Sequence, residues 1–278
     1  NGSRYYVVSA FETDEDGRFQ GNLTPGNYQL MVAKEGYPYD SGTSTPGLTP
    51  VSISQGATTE ASLTLPETGS LRVTAADEAA SPIPAKASVV GFDPSPPVPN
   101  VQSVLGLLDL KGSVFDDDRG EGVFGIAKAI FMGADGDSGE IPIEPGQYEL
   151  FVSRGPEYSL FSEPIRISAG AVTTSQAQIA RVIDTTGFVS GDFHVHISNS
   201  PDSIVPKDAR VTTFLAEGVD YLVATDHEFL TDLWPTIHQL GAGGLISTSA
   251  GQEITPQDYG HYNAWPLTMD PTRRSNGA

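Results

Sequence analysis

Cysteine is absent from the 278-residue chain. Disulfides and thiolate metal sites are therefore excluded, and any transition metal must be bound by histidine and carboxylate side chains. Basic residues are also scarce, with 15 Lys and Arg against 35 Asp and Glu and a formal charge of −20. This charge balance argues against a main role in binding nucleic acid or an anionic membrane surface. No apolar run approaches the length of a membrane span.

The hydrophobic content of 38% is enough to bury real cores, and the length allows two or three domains. No signal peptide is recognisable, and the first residue, Asn1, is not an initiator methionine. We therefore expect the chain to be processed or excerpted from a longer one.

The first 66 residues show strand and turn signals and no helical period. Residues 5–11 (YYVVSAF) are rich in β-branched and aromatic residues and precede a turn cluster. Residues 28–33 and 58–65 alternate apolar and polar side chains with period two. These three stretches are predicted to be strands.

An internal repeat indicates that one module occurs twice. Residues 25–32 (PGNYQLMV) are matched by residues 145–152 (PGQYELFV), and residues 56–59 (GATT) are matched by residues 170–174 (GAVTT). Two modules of the same kind are therefore predicted before residue 182.

The first copy carries D-x-D-G-x-F followed by P-G-x-Y, and this wording resembles the carboxypeptidase regulatory-like, transthyretin-type β-sandwich. The residues that carry the resemblance are Asp14, Asp16, Gly17, Phe19, Pro25, Gly26 and Tyr28. The second copy has a weaker Asp135-Gly136-Asp137 version and a long insertion. The resemblance implies a β-sandwich over residues 1–66, lacking its opening strands, and a second one over residues 67–181.

Acidic turns in these modules offer oxygen ligands of the kind that calcium takes. They are Asp14 and Asp16 in the first module and the run at residues 116–118 in the second. Neither has the full spacing of a calcium loop, so solvated turn carboxylates are the favoured interpretation and calcium is the alternative. The proline-dense residues 92–100 are expected to form a surface loop.

From residue 182 onward, strand patterns alternate with helix patterns, which predicts an α/β segment with a parallel sheet. Strands are predicted over residues 188–194, 219–225 and 244–249. Helices are predicted over residues 206–217, with Pro206 at the start and Gly218 at the stop, and over residues 231–240.

Histidine and carboxylate residues follow the ends of these predicted strands. His194 and His196 lie one residue apart, so a strand directs both to the same side. Because the carboxyl ends of parallel strands build sites in α/β folds, the candidates are expected to converge on divalent ions. A single strand-end histidine is more often structural, but this placement of several argues for a metal site. His238, inside the second predicted helix, is expected to be an ordinary helix residue.

The order G-D-F-H-V-H, S-P-D-S, A-T-D-H, G-Q-E-I-T and G-H-Y-N resembles the PHP (polymerase and histidinol phosphatase) superfamily, and within it the CehA/McbA group. The match covers residues 182–267. The resemblance implies a catalytic, proton-handling or positioning role for Asp226 beside His227. It implies these metal ligands: His194, His196, Asp202, His227, Glu253 and His261.

The resemblance also implies a metal-dependent hydrolase. Two or three ions of zinc, manganese or iron would activate a bridging hydroxide for cleavage of a phosphoester, carboxyl ester, amide or carbamate bond in a small-molecule substrate. However, three βα units cannot close a PHP barrel, and the ligands of its second half are missing. The fold class expected is two all-β sandwich modules followed by an incomplete PHP-type α/β segment over residues 182–278, which makes a fragment of a longer enzyme the main expectation.

The alternative is an extracellular structural, filament or adhesion protein built from β-sandwich modules, with a non-catalytic PHP remnant and a capacity for self-assembly. A carbohydrate- or protein-binding module is a third option that no residue supports. Sandwich modules and an acidic, cysteine-free chain together indicate an extracytoplasmic or secreted protein from a bacterial or archaeal cell.

Overall fold

Short strands separated by glycine and proline turns form most of the secondary structure. The computed structural model describes residues 8–30, 32, 49–65, 67–93 and 126–278. Within these ranges the chain has fourteen strands and two α-helices, so it is mostly β. No helix in the described part of the chain is long and apolar enough to cross a membrane.

The first two strands form an antiparallel hairpin. Strand β1 spans Gly26–Leu30 and pairs with β2, which spans Thr49–Ile53. The predicted strand at residues 5–11 is not found where it is described: residues 8–11 are irregular, and residues 5–7 lie outside the described ranges. Residues 58–65 alternate in burial as predicted but pair with no described strand, so that strand prediction is wrong.

Seven strands build a β-sandwich from two sheets. One sheet has the order β6-β3-β9, with β3 and β9 parallel, and the other has the antiparallel order β5-β4-β7-β8. The strands are β3 Gly69–Ala76, β4 Ala85–Asp93, β5 Ile126–Met132, β6 Ile141–Ile143, β7 Gly146–Ser153, β8 Phe161–Ile167 and β9 Val172–Gln178.

Period-two alternation places the core of this sandwich between its sheets. Leu71 and Val73 of β3 are fully buried, as are Leu150 and Val152 of β7. All four belong to one apolar cluster that draws on both sheets. Full burial of such a side chain is worth roughly 1.5–3 kcal/mol.

The internal repeat is visible in the hydrogen bonds of its tyrosines. The Tyr28 hydroxyl donates to the carbonyl of Thr24 at 2.7 Å, and the Tyr148 hydroxyl donates to the carbonyl of Glu144 at 2.7 Å. In both copies the tyrosine lies in a strand that begins at the glycine two residues earlier. The matched sequences therefore form the same strand entry.

The second matched stretch also repeats its contacts. The Thr59 hydroxyl donates to the carbonyl of Ser52 at 3.0 Å, and the Thr173 hydroxyl donates to the carbonyl of Arg166 at 2.9 Å. Each threonine thus bonds the residue seven positions before it, across a tight turn. These shared contacts are consistent with two copies of one structural unit.

The C-terminal segment contains a three-stranded parallel sheet in the order β10-β11-β12 and a two-stranded antiparallel ribbon, β13-β14. Its elements are β10 Gly191–Val195, α1 Lys207–Ala216, β11 Tyr221–Ala224, α2 Trp234–Gln239, β12 Ser247–Thr248, β13 Gln252–Ile254, β14 Tyr262–Ala264 and a final 3-10 turn at Arg274–Gly277. The two helices pack against the parallel sheet through their own apolar cluster.

A PHP barrel alternates every strand with a helix, whereas this segment does so only as far as β12. The two α-helices have 10 and 6 residues, and β12 has only two. The next two strands pair as an antiparallel ribbon with no helix between them. The PHP-type barrel expected from the sequence is therefore not supported, whereas the β-sandwich is observed.

The sandwich and the C-terminal segment are joined by a buried arginine. The Arg154 side chain is only 9% exposed, and its Nη1 donates to the carbonyls of Pro84 at 2.8 Å and Leu215 at 2.9 Å. An ion pair between Lys86 and Glu217 crosses the same junction. The end of α1 is thus held against β4 and the end of β7.

Candidate metal centre

One buried carboxylate lies at the centre of the predicted ligands. Glu253 in β13 is 2% exposed, and its Oε2 lies 3.1 Å from Nε2 of His194 and 3.0 Å from Nε2 of His196. The same oxygen lies 3.6 Å from Nδ1 of His227, while Oε1 lies 2.7 Å from Nδ1 of His261. Four imidazoles therefore surround a single carboxylate.

Asp202 forms the second centre of negative charge. Its Oδ1 lies 3.0 Å from Nδ1 of His196, and its Oδ2 lies 3.3 Å from Nε2 of His227. A hydrogen bond donated by the Ser200 hydroxyl, assisted by His196, lowers the pKa of Asp202 to about 2. This carboxylate is therefore ionised across the physiological range.

The six predicted metal ligands, called the ligand cluster below, form three overlapping triads. In each triad the potential donor atoms lie within 4.8 Å of one another. The triads are His194, His196 and Glu253; His196, Asp202 and His227; and His227, Glu253 and His261. Shared members make the cluster suited to more than one ion.

The strand ends bring these residues together. His194 lies in β10 and His196 one residue beyond it, and His227 follows β11, the parallel neighbour of β10. Glu253 forms a parallel bridge with His227, and this places β13 beside the end of β11. The sequence predicted convergence at the ends of parallel strands, and the structure brings all six side chains into one place.

Asp226, whose predicted role in catalysis stays a prediction, makes several contacts that hold the fold beside the cluster. Its side chain is fully buried and accepts hydrogen bonds from the N–H of Ile197 at 2.8 Å and the hydroxyl of Thr231 at 2.5 Å. Its backbone carbonyl accepts the N–H of Glu253 at 3.0 Å. Burial raises the pKa of Asp226, against the effect of the two hydrogen bonds. Asp226 thus fixes the chain on either side of the cluster.

The electrostatics of Glu253 follow from its neighbours. Burial by itself raises the pKa of Glu253, but the hydrogen bond with His194 and the charges of His227, His194 and His196 outweigh burial and hold the pKa below its ordinary value. A neutral imidazole has one N–H and one lone pair, and the lone pair is repelled by a carboxylate. His196 and His227 each face Glu253 with one ring nitrogen and Asp202 with the other, so a neutral ring can donate to only one of its two carboxylates, and a shared cation would use the remaining lone pair.

The donor set of the cluster fits a transition metal. Imidazole nitrogens and carboxylate oxygens bind zinc, manganese and iron, and no thiolate is present to restrict the choice. His238 stays outside the cluster, as expected, and its ring packs on Trp234 in α2 with ring centroids 4.6 Å apart.

Sequence reasoning did not identify Ser200 as part of this centre. Its side chain is 4% exposed, its Oγ lies 3.0 Å from Nδ1 of His196, and it accepts the N–H of His227 at 3.2 Å. Ser200 therefore contacts three cluster members, including Asp202. The available signal was its position two residues before a predicted acidic ligand.

The turn proposed as a calcium site has partners of its own. The Asp14 carboxylate accepts the N–H groups of Asp16 at 3.0 Å and Arg18 at 2.8 Å, and Arg18 pairs with Asp16. These contacts belong to a solvated turn, the interpretation favoured from the sequence, and calcium there stays a prediction. Residues 116–118 lie outside the described ranges.

Comparison with solved structures gives distant likenesses. The chain is similar to the minor pilin of the Gram-positive pathogen Streptococcus agalactiae, at 12% identity and a TM-score of 0.30 over 63% of this chain and 68% of that one. It is similar to the group B streptococcus pilus 2b backbone protein, at 16% identity and a TM-score of 0.26 over 54% and 53%. It is also similar to the Bacillus anthracis TIE protein, at 12% identity and a TM-score of 0.27 over 45% of this chain and 17% of that one.

These sequence identities and TM-scores are too low to assign a function. The chain also spans only part of the length of each of the three proteins. No family model matches the chain. A search of curated proteins finds no match either.

The family and activity expected from the sequence are wrong. No family model supports the PHP or the carboxypeptidase regulatory-like resemblance. The chain is mostly β, unlike a PHP barrel. The prediction of a PHP metallohydrolase is therefore wrong, its ester-type substrate has no support, and the β-sandwich architecture is retained.

Proposed function

We propose that this chain is part of an extracellular structural or adhesion protein whose C-terminal segment is cross-linked by divalent metal. The observation that carries the proposal is the convergence of four imidazoles and two carboxylates from separate segments, with the donor atoms of each triad within 4.8 Å of one another. Structural metal sites are closed by several protein ligands, and here the ligands outnumber those needed for one ion.

The proposed architecture keeps the division made from the sequence: an amino-terminal β module at residues 1–66, a sandwich at 67–181 and a metal-binding segment at 182–278. The strong negative charge suits a solvated exterior surface, and β-sandwiches stacked in series suit self-assembly or adhesion. Location outside a bacterial or archaeal cell is part of the same proposal.

A structural role for metal follows from which elements the ligands tie together. The cluster links the end of β10, the turn at residue 202, the end of β11, and the ribbon β13-β14. Two or three ions of zinc, manganese or iron would neutralise the carboxylates and use the imidazole lone pairs. Because the unfolded chain cannot hold the ligands together, the free energy of binding adds to the stability of this segment.

The test is a comparison of metal-free and metal-loaded protein. After chelation, zinc and manganese are titrated separately into the full chain, with bound metal measured by elemental analysis and unfolding followed by chemical denaturation. At a free metal concentration of about 100 times Kd, the free energy of unfolding is expected to rise by about 2.7 kcal/mol. Hydrogen exchange is expected to slow at residues 191–264 and to stay unchanged in the sandwich.

Two substitutions and one control sharpen this test. His227→Ala, which removes a ligand shared by two triads, and Glu253→Gln, which removes the central charge, are expected to abolish most of the metal-dependent gain. His238→Ala changes a histidine that packs on Trp234 outside the cluster, so it is expected to leave the gain intact. Metal binding by wild type that is equal to that of His227→Ala would refute the proposed site.

A further inference from the structure

Three paired backbone segments place the side chains of His227, Glu253 and Asn263 on one face. Glu253 forms a parallel bridge with His227 on one side and a direct antiparallel pair with Asn263 on the other. Side chains of directly paired residues point to the same face of a sheet, with Cβ atoms about 4.5–5.5 Å apart. His261, two residues before Asn263, contacts Glu253 from the same side of the ribbon. Asn263 therefore faces the ligand cluster.

The amide oxygen of Asn263 has no partner within the described part of the protein. Its Oδ1 is buried and accepts no hydrogen bond there. A buried acceptor without a partner has lost its hydration without compensation, so such an atom beside a group of ligand-type side chains calls for an explanation.

A second orphaned acceptor on the same ribbon provides a contrast. The Oε1 atom of Gln252 is also buried without a partner among the described residues. Gln252 precedes Glu253 in β13, so alternation directs it to the opposite face of the ribbon. Of these two residues, Asn263 alone combines an unpaired oxygen with a position on the cluster side.

We infer that the Asn263 side-chain oxygen is a further metal ligand, completing the position formed by His227, Glu253 and His261. This inference rests on the proposed metal binding. His261 is the exposed member of that triad, so the triad by itself leaves one side open. An amide oxygen is an uncharged, hard ligand that zinc and manganese accept beside imidazole and carboxylate. With it the position has two nitrogen and two oxygen donors.

The experiment compares three single substitutions in the full chain. Asn263→Leu keeps the shape and removes the oxygen, Asn263→Asp keeps the oxygen and adds charge, and Gln252→Leu removes the orphaned acceptor of the opposite face as a matched control. Zinc and manganese affinities are measured by calorimetric titration, and stability is measured in the presence of chelator.

Asn263→Leu is expected to weaken one binding step by about 10–100-fold, the range found when groups that support a metal site are removed. In chelator it is expected to be as stable as wild type or more stable, because it removes an unpaired acceptor. A residue with only a structural role would show the reverse. Asn263→Asp is expected to bind more tightly, with the larger gain for manganese, and Gln252→Leu to bind as wild type does.

The outcomes separate this inference from the proposed function. If wild type binds no metal, the proposed function and the Asn263 ligand are both refuted. If wild type binds and Asn263→Leu binds equally well, the Asn263 ligand is refuted while the cluster remains a metal site. Should Asn263→Leu fail to fold, Asn263→Asp decides, since an affinity equal to wild type in that variant overturns the inference.

Discussion

The sandwich and the ligand cluster differ in how their polar side chains find hydrogen-bond and ion-pair partners. In the sandwich, the guanidinium of Arg72 pairs with Asp137, and the buried hydroxyl of Tyr148 donates to a carbonyl. In the cluster, Glu253 is as buried as Tyr148, yet its neighbours are imidazoles that satisfy it only when they carry the right protons or share a cation. These polar groups of the sandwich are paired within the chain, whereas the proposal for the cluster is that bound metal completes it.

The apolar cores of the two regions also differ, in the number and length of the strands that enclose them. The sandwich core closes between two sheets of three and four strands. The parallel sheet has only three described strands, and β12 contributes two residues. We therefore expect stability to come from apolar burial in the sandwich and to depend on metal in the C-terminal segment.

The largest expected effect tests the sandwich side of this comparison. Leu150→Ala empties a fully buried position in β7 and is expected to cost about 3–5 kcal/mol through lost burial and a residual cavity. Because this core contains no predicted ligand, the stabilisation by added zinc should be the same in the variant as in wild type. Denaturant unfolding with and without zinc measures both quantities.

The control for that substitution is Leu160→Ala, since Leu160 is 63% exposed and should cost no more than about 0.5 kcal/mol. A loss below about 1 kcal/mol for Leu150→Ala, or a zinc effect that disappears with it, would show that the two regions do not divide their stability in this way.

The next effect concerns the junction between the regions. Arg154→Met keeps the apolar stem of a 9% exposed side chain and leaves the carbonyls of Pro84 and Leu215 unpaired. The expected cost is about 2 kcal/mol, and α1 should open to hydrogen exchange before the sandwich does. Arg166→Met, at an exposed position of β8, is the matched control. If α1 and β7 still exchange together in Arg154→Met, the junction does not depend on Arg154.

Local patterns predicted much of this fold. Pro206 and Gly218 bracket α1 closely, and residues 145–152, which match the predicted strand region at 25–32, contain most of β7. Residues 244–249 were predicted to be a strand, but the N–H groups of Leu245 and Ile246 bond to Ala242 in the turn after α2, so only two residues pair. A short apolar run does not distinguish a strand from a buried turn.

The site was predictable where it depends on strand ends and not where it depends on long-range pairing. His194, His196 and His227 lie at the ends of strands whose parallel pairing the α/β pattern implies. Asn263 takes its place from the β13-β14 ribbon, and no sequence signal specified which strand would pair with the segment of Glu253. Arg154 was also missed, because its carbonyl partners are 61 and 70 residues away.

The smallest expected effect is a change in pH dependence at the boundary between fold and cluster. Burial raises the pKa of Asp226 above the ordinary 3.8, so between 3.8 and the raised value the native state binds more protons than the unfolded state. Stability from this group therefore falls as pH rises through that window, and its cost is fully present above it. Asp226→Asn removes the titration while an amide oxygen can still accept the N–H of Ile197.

Relative to wild type, the Asp226→Asn variant should therefore gain stability as pH rises from the ordinary value of 3.8, and should show no such trend below it. Unfolding is measured in chelator at a series of pH values, so that protons and metal do not compete for the neighbouring imidazoles. Asp258→Asn, at an exposed position, is the control for the same substitution away from the buried groups. If the Asp226→Asn variant instead loses stability relative to wild type as pH rises, the hydrogen bonds from Ile197 and Thr231 outweigh burial. Asp226 would then belong with the satisfied groups of the sandwich rather than with the crowded carboxylates of the cluster.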